Sequence, residues 1–281
     1  MGLFDWFSNT DDIVKYDNIT KEVEKVKDFS NFGKVTEYIY LKSGIVELDK
    51  RAFVSSKLQQ YAISENIYTT DEFLKNMQNN SSFYQDIINI ATVNETFFMR
   101  EIKELKWLVR YIKEANRPLK ILSIPSSSGE EIYSIMLLLL MENIDINNIS
   151  FMGYDINSKA VKYAKAGVYD EHSLHKIDKD IKERYFNEVS QNHYELSSML
   201  RNNARFEQKN IFELSDNYEK YDVILSRNMF IYFDDSNREK ALKIITSLLK
   251  DGGIYIKGHA DYIKSHPNLD NIEFGIYKKS Q

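Results

Sequence analysis

The rhythm of hydrophobic and polar positions changes most sharply between Lys120 and Leu140. Ile121–Leu122–Ser123–Ile124 is mostly apolar and half β-branched, which predicts a short buried strand. Pro125 ends it, and Ser126–Ser127–Ser128–Gly129 is a loop of small residues. Glu130–Met141 is apolar on nearly every face, so it predicts a buried helix rather than an amphipathic one. Its apolar run is shorter than the roughly 20 residues that a bilayer span requires. Strand, small-residue loop and buried helix open a doubly wound α/β domain, whose ligand sits at the strand's carboxyl end. Phe151–Asp155 is a second apolar strand ending in an acid, 24 residues beyond Glu131. Such an acid hydrogen-bonds a ribose hydroxyl in nucleotide-type folds, or else caps the next helix.

Upstream the pattern is helical. Phe32, Val35, Tyr38, Ile39 and Leu41 recur every three or four residues, with Gly44 as terminator. Asp49 heads a segment carrying Phe53, Leu58 and Tyr61. Thr69–Glu72 has capping-box spacing before Phe73, Leu74 and Met77. Phe83–Ala91 is a fourth helical segment. Residues 28–92 therefore predict a small helical domain, either a docking module or a lid, behind an extension of residues 1–27. Val93–Glu101 joins it to residues 93–281, and its Phe97, Phe98 and Arg100 read as interdomain packing or as part of a site. A helix with Leu105, Leu108, Val109 and Ile112 inward follows and stops at Pro118.

Downstream, Ser158–Lys165 predicts a helix closed by Gly167. The polar stretch around 185–206 reads as a small β insertion, with strands at Tyr194–Leu196 and Ala204–Ile211. Tyr221–Ser226 is a buried strand that delivers Arg227–Asn228 to its carboxyl end and continues through Met229–Phe233. Ser236 and Glu239 have capping-box spacing for a helix ended by Gly252–Gly253, and Ile254–Ile256 and Phe274–Lys278 are the last strands. This alternation predicts a mainly parallel sheet with helices on both faces.

Composition narrows the chemistry. The chain has 281 residues, 43% of them hydrophobic and 28% charged, and a net charge of -5 that speaks against a general nucleic-acid binder. It has no cysteine, which excludes disulfides, thiolate catalysis and Cys-based zinc sites and fits the cytoplasm. Five histidines without metal-ligand spacing offer no metal centre. Met1–Phe7 carries Asp5 and does not read as a signal peptide.

Five stretches then occur together and in order. They are Asn94–Arg100, Ser127–Ser134, Tyr154–Asp155–Ile156 with Ala164–Tyr169, Ser226–Phe233, and Gly258–His259–Ala260–Asp261. Together they resemble the CheR family of chemotaxis receptor methyltransferases, which use S-adenosylmethionine to esterify protein glutamate side chains. The resemblance implies a Rossmann-like class I methyltransferase domain and S-adenosylhomocysteine as product. It implies a cofactor pocket at Asn94, Thr96, Arg100, Glu131, Asp155, Asn210, Ile211, Arg227 and Asn228. Within it Asp155 takes the ribose hydroxyls, Glu131 faces the cationic end, and Asn210 and Ile211 border the adenine. Arg100 and Tyr232 face the methyl group and the incoming glutamate. The implied partners are cytoplasmic receptor helices, with no nucleic acid and no membrane insertion, and the chain is expected to act as a monomer. The competing class is a non-catalytic adaptor that keeps the fold.

Three departures from the family pattern stand out. Met99 replaces a phenylalanine, Ile124–Pro125–Ser126 replaces a small-residue stretch, and Ile132 replaces a proline. Pro125 has no amide to donate. The family's helical domain often presents a basic face, whereas residues 28–92 here hold six basic and eight acidic side chains.

Overall fold

The structure, a computed structural model, describes residues 27–46, 52–92, 95–263 and 266–280. Four helices come first: α1 (Gly33–Ser43), α2 (Ala52–Ser64), α3 (Thr70–Asn79) and α4 (Ser81–Ala91). They share a core of their own built on Val35, Ile39, Leu58, Phe73 and Ile87. Thr69 caps α3 as its spacing predicts, accepting the Glu72 N–H at 3.2 Å. Glu72 reaches back to the Tyr68 N–H. Asp49, expected to cap α2, lies outside the described residues.

After α5 (Ile102–Ala115) the chain alternates: β1 (Leu119–Ser123), α6 (Glu130–Met141), β2 (Ile149–Asp155), α7 (Ser158–Ala166). A small unit follows, of β3 (Val168–Asp170), α8 (Lys179–Tyr185), β4 (Phe186–Ser190) and β5 (His193–Leu196). Then come α9 (Ser198–Asn203), β6 (Ala204–Gln208), β7 (Tyr221–Ser226), α10 (Asp235–Leu248), β8 (Leu249–Lys257), β9 (Leu269–Glu273) and β10 (Ile276–Lys279). Seven strands form one sheet in the order β6-β2-β1-β7-β8-β10-β9, and β3, β5 and β4 form a second. Neighbours from β6 to β8 are parallel; β10 is antiparallel to both β8 and β9. Successive residues of one strand feed opposite layers. Ile121, Val223 and Ile254 face α5 and α6, whereas Leu122, Ile224 and Tyr255 face α10. The α6 helix is buried along almost its whole length, as its unbroken apolar run predicts.

Four local expectations are corrected. Asp234, not Ser236, caps α10, accepting the Asn237 N–H at 2.8 Å. A carboxylate at a helix N-terminus is favoured by the dipole, and this one also accepts from Tyr40 of α1. Gly252–Gly253 lie inside β8, not at a helix end, where the pairing with β7 shifts register. Met229–Phe233 does not prolong β7. Asn228 has φ +61° and Phe230–Tyr232 is a 3-10 turn, a bend incompatible with an extended ladder. Finally, β6 belongs to the main sheet beside β2, and the three-stranded sheet begins already at Val168. No helix among the described residues is long and apolar enough to cross a membrane.

The amino ends of the central strands are fastened by Asp222, which is buried. It accepts from Arg117 at 2.8 Å, Lys250 at 2.7 Å and the Lys120 N–H at 2.9 Å. Burial alone would raise its pKa, but Lys250, the Lys120 N–H and Arg117 outweigh burial and hold it below the usual carboxylate range. A depressed folded-state pKa gives stability that is present above the unfolded value and lost as pH falls through the folded one. Asp222→Asn is therefore expected to lower stability by about 1.5–3 kcal/mol at pH 7, the scale for hydrogen bonds to a charged group, because Arg117 and Lys250 are themselves about half exposed. Chemical denaturation at pH 7 and at pH 3 checks this; the deficit should shrink at the lower pH.

Candidate active site

In an open α/β sheet the ligand crevice lies where strand order reverses. Here β1 runs on to β2 on one side and has β7 on the other, so the crevice opens at the carboxyl ends of β1, β2 and β7. A cavity of about 370 Å³ occupies that place. Its floor is the loop after β1. The Ile124 N–H donates to Leu225 of β7 and the Ser126 N–H to Tyr154 of β2, so the loop is wedged between the two strands. Pro125 costs that scheme nothing, because the donors fall on either side of it. Ser127 follows with φ +47°, and Gly129, with φ +92°, turns the chain into α6.

Asp155 ends β2 as a buried side chain on the cavity wall. Its oxygens accept the Ser127 N–H at 2.7 Å and the Asn157 N–H at 2.8 Å. Burial pushes its pKa up to about 6, against the pull of those two bonds. An ionised carboxylate has about four acceptor positions, so two remain. Asp155 is not the cap of α7. Asn157 is, through a 2.9 Å bond from the Ala160 N–H.

At the end of β7 the Arg227 guanidinium is buried and fully engaged. It donates to Glu131 at 2.7 Å, to Glu101 at 3.2 Å and to the Arg100 carbonyl at 2.5 Å. Burial alone would favour losing its proton; Glu131 and Glu101 more than compensate and raise its pKa. Glu131 also accepts from Ser123 at 2.8 Å. Two carboxylates thus share one guanidinium, leaving a net negative charge beside the cavity.

The remaining walls come from three directions. Thr96, Phe97 and Arg100 rise from the segment before α5. Arg100 donates to the Glu95 carbonyl at 2.5 Å and lies 6.0 Å from the Phe97 ring centre. Asn228, Met229 and Tyr232 come from the turn after β7, and Lys209, Asn210 and Ile211 from the segment after β6. Ser43 and Ile45, at the end of α1, close the far side. Three bonds seat that end: Asn210 to the Lys42 carbonyl at 3.0 Å, the Val46 N–H to the Tyr232 carbonyl at 2.9 Å, and Tyr40 to Asp234 at 2.8 Å. Gly44 makes the approach possible, with φ +73° and room for no Cβ, which would lie 2.4 Å from Phe212.

Every described residue singled out from the sequence lines this one cavity; Asn94 lies outside the described residues. The geometry divides them, however. Thr96, Arg100, Asp155, Asn228 and Tyr232 stand on its wall, whereas the side chains of Arg227 and Asn210 are engaged within the protein. Asn210 donates to the Lys42 carbonyl and accepts the Phe212 N–H, so its side chain is spent within the protein, and Ile211 lines the cavity beside it. His259 lies outside the cavity and bonds Glu104 of α5 at 2.7 Å. Sequence reading missed Ser43, Ile45 and the Ser126 and Ser127 hydroxyls. The last two are buried without a protein partner. Those orphaned hydroxyls, the two open acceptor positions on Asp155 and the net negative charge fit a cofactor with ribose hydroxyls and a cationic end.

Comparison with known proteins agrees with the geometry. Residues 94–276 match the family model described as CheR methyltransferase, SAM binding domain. A chemotaxis protein methyltransferase of Campylobacter jejuni is 35% identical over 79% of this chain and 84% of the relative. Chemotaxis protein methyltransferase 2 of Vibrio cholerae is 33% identical over 87% and 89%, and the Escherichia coli chemotaxis protein methyltransferase 27% over 83% and 84%. The resemblance carried by the five motifs therefore holds, and the chain belongs to the CheR methyltransferase family, whose domain binds S-adenosylmethionine.

Proposed function

We propose that this chain methylates glutamate side chains on the cytoplasmic helices of a chemotaxis receptor. The observation that carries the reading is the convergence of Asp155, Arg100 and Tyr232 on one cavity at the strand-order reversal. In this reading residues 28–92 act as a helical domain and 93–281 as the catalytic domain, with the three-stranded sheet an insertion in it. S-adenosylmethionine, when bound, supplies an electrophilic methyl group on a sulfonium. Asp155 holds the ribose through its two open acceptor positions, joined by the Ser126 and Ser127 hydroxyls. Thr96 and Asn228 complete the pocket, and Ile211 borders the adenine. Glu131 and Glu101, over-neutralising Arg227, favour a cation nearby.

The acceptor asks little further. A glutamate with a pKa of about 4.3 is already ionised at neutral pH, so no general base is needed. It needs alignment and removal from water. The Arg100 guanidinium has five N–H donors and uses one on Glu95, which leaves a fork for a carboxylate. Tyr232 lines the same cavity and offers its hydroxyl as a second donor. A non-catalytic adaptor would have no need to keep these groups around one cavity.

Three outcomes test this. Asp155→Asn should weaken S-adenosylhomocysteine binding tenfold or more in calorimetry, since a hydrogen bond to a charged group contributes about 1.5–3 kcal/mol. Binding favours the ionised carboxylate, whose free-protein pKa is about 6. The wild-type advantage over the variant should therefore be full above pH 7 and shrink as pH falls through 6. An equal ratio at pH 5 and pH 8 would remove Asp155 from the ribose.

Arg100→Ala should abolish methyl transfer to a receptor fragment that wild type modifies, read by radiolabel. Wild type inert toward every receptor from the same cell would favour the adaptor.

Tyr232→Phe removes one oxygen and keeps the ring. Single-turnover transfer should fall about tenfold, the worth of one aligned hydrogen bond near 1.4 kcal/mol. The unfolding midpoint is measured on the same sample, so that the loss of rate is read per folded molecule. A full rate would strike Tyr232 from the catalytic groups.

A further inference from the structure

Asp261, in the loop after β8, has no place in the chemistry above. Its side chain is buried and does not line the cavity. One oxygen accepts the Asn228 N–H at 2.5 Å and the Gly258 N–H at 3.2 Å; the other accepts the Phe230 N–H at 2.8 Å. Two of those three donors belong to the turn after the neighbouring strand, β7. That turn carries Asn228 in the left-handed region, at φ +61°, which an asparagine tolerates as a single residue.

The contact between the two loops is backbone to backbone. A Cβ on Gly258 would lie 2.7 Å from the Asn228 nitrogen and 3.0 Å from the Arg227 Cα. From the other side, Lys257 donates to the Asp261 carbonyl at 2.8 Å and to the Gly258 carbonyl at 3.3 Å. The loop is thus braced by its own lysine and presents a fixed carboxylate to the turn beside it. His259 bonds Glu104 through its ring and Glu101 through its N–H, and Glu101 in turn holds Arg227.

We propose that Asp261 is a positioning residue for the transfer reaction, its carboxylate clamping the Asn228–Phe230 turn and so setting Asn228 on the cavity wall. The inference rests on the assignment of Asn228 to the cofactor pocket. It acts at one remove, because every hydrogen bond of the carboxylate ends on backbone. A residue that merely held the fold would lower stability without coupling to Asn228.

A double-mutant cycle reads that coupling. S-adenosylhomocysteine affinity is measured by calorimetry for wild type, Asp261→Asn, Asn228→Ala and the double variant, each with its unfolding midpoint. The amide of Asp261→Asn keeps the shape but removes the charge. Expected are an affinity loss of about tenfold in Asp261→Asn and a double variant that binds as weakly as Asn228→Ala alone, within about twofold. Unchanged affinity in Asp261→Asn, or a double variant weaker than Asn228→Ala by that same tenfold, overturns the proposal while leaving the pocket assignment standing. Asn228→Ala binding as tightly as wild type fails the pocket assignment and the proposal with it. If Asp261→Asn does not fold, Asp261→Glu takes its place in the cycle, since it keeps the charge and moves the oxygens off the Asn228 and Phe230 N–H groups. Full affinity in Asp261→Glu, or a double variant with Asn228→Ala weaker than Asn228→Ala alone by the full loss, then overturns the proposal.

Discussion

The buried guanidinium of Arg227 is the interaction on which the site depends. It ties three separate pieces of chain: the end of β7, the first turn of α6 through Glu131, and the segment before α5 through Glu101 and the Arg100 carbonyl. Removing one partner of a buried pair costs about 3–5 kcal/mol, because the other charge is left stranded. Arg227 and its two carboxylates therefore stand or fall together. The consequence for chemistry is positional. The Arg100 backbone is held from below by Arg227, so its own side chain projects from a fixed base. Two arginines from distant motifs thus differ in placement: the Arg227 side chain is buried among its partners, whereas that of Arg100 is on the cavity wall.

This arrangement also sets the charge balance. Two carboxylates around one guanidinium, with Asp155 across the cavity, place negative potential where a sulfonium and an ammonium would lie. Arg100 adds a positive charge to the same cavity wall. The work left to the protein is alignment and desolvation, and neither needs a histidine or a thiol.

Much of this was legible in the chain. The strand–loop–helix at Lys120–Leu140 and the acid ending Phe151–Asp155 depend on local pattern, and the sheet bears them out. Arg227 was legible as a residue at a strand end, but not as a residue consumed by Glu131 and Glu101, because those partners lie 96 and 126 positions away. The same limit explains Asp234. Its preference over Ser236 as a cap is reinforced by Tyr40, a contact across 194 positions. Gly252–Gly253 looked like a helix end because glycine marks both helix ends and irregular strands, and only pairing with β7 decides between them. The β9 strand, with one buried residue among five, carries no hydrophobic alternation to read.

The helical region shows why the site could not be read from the α/β part alone. Its residues are more acidic than basic, and its α1 end forms a wall of the cavity through Ser43 and Ile45. Gly44 lets that end come within contact of Phe212, and Asn210 spends its side chain holding Lys42 there. A ligand filling the cavity touches both parts of the chain at once. By linkage, whatever favours the seated position of α1 also favours ligand binding, by the same free energy in each direction. The Val46 N–H bond to the Tyr232 carbonyl fastens the segment after α1 directly to the turn that carries Tyr232.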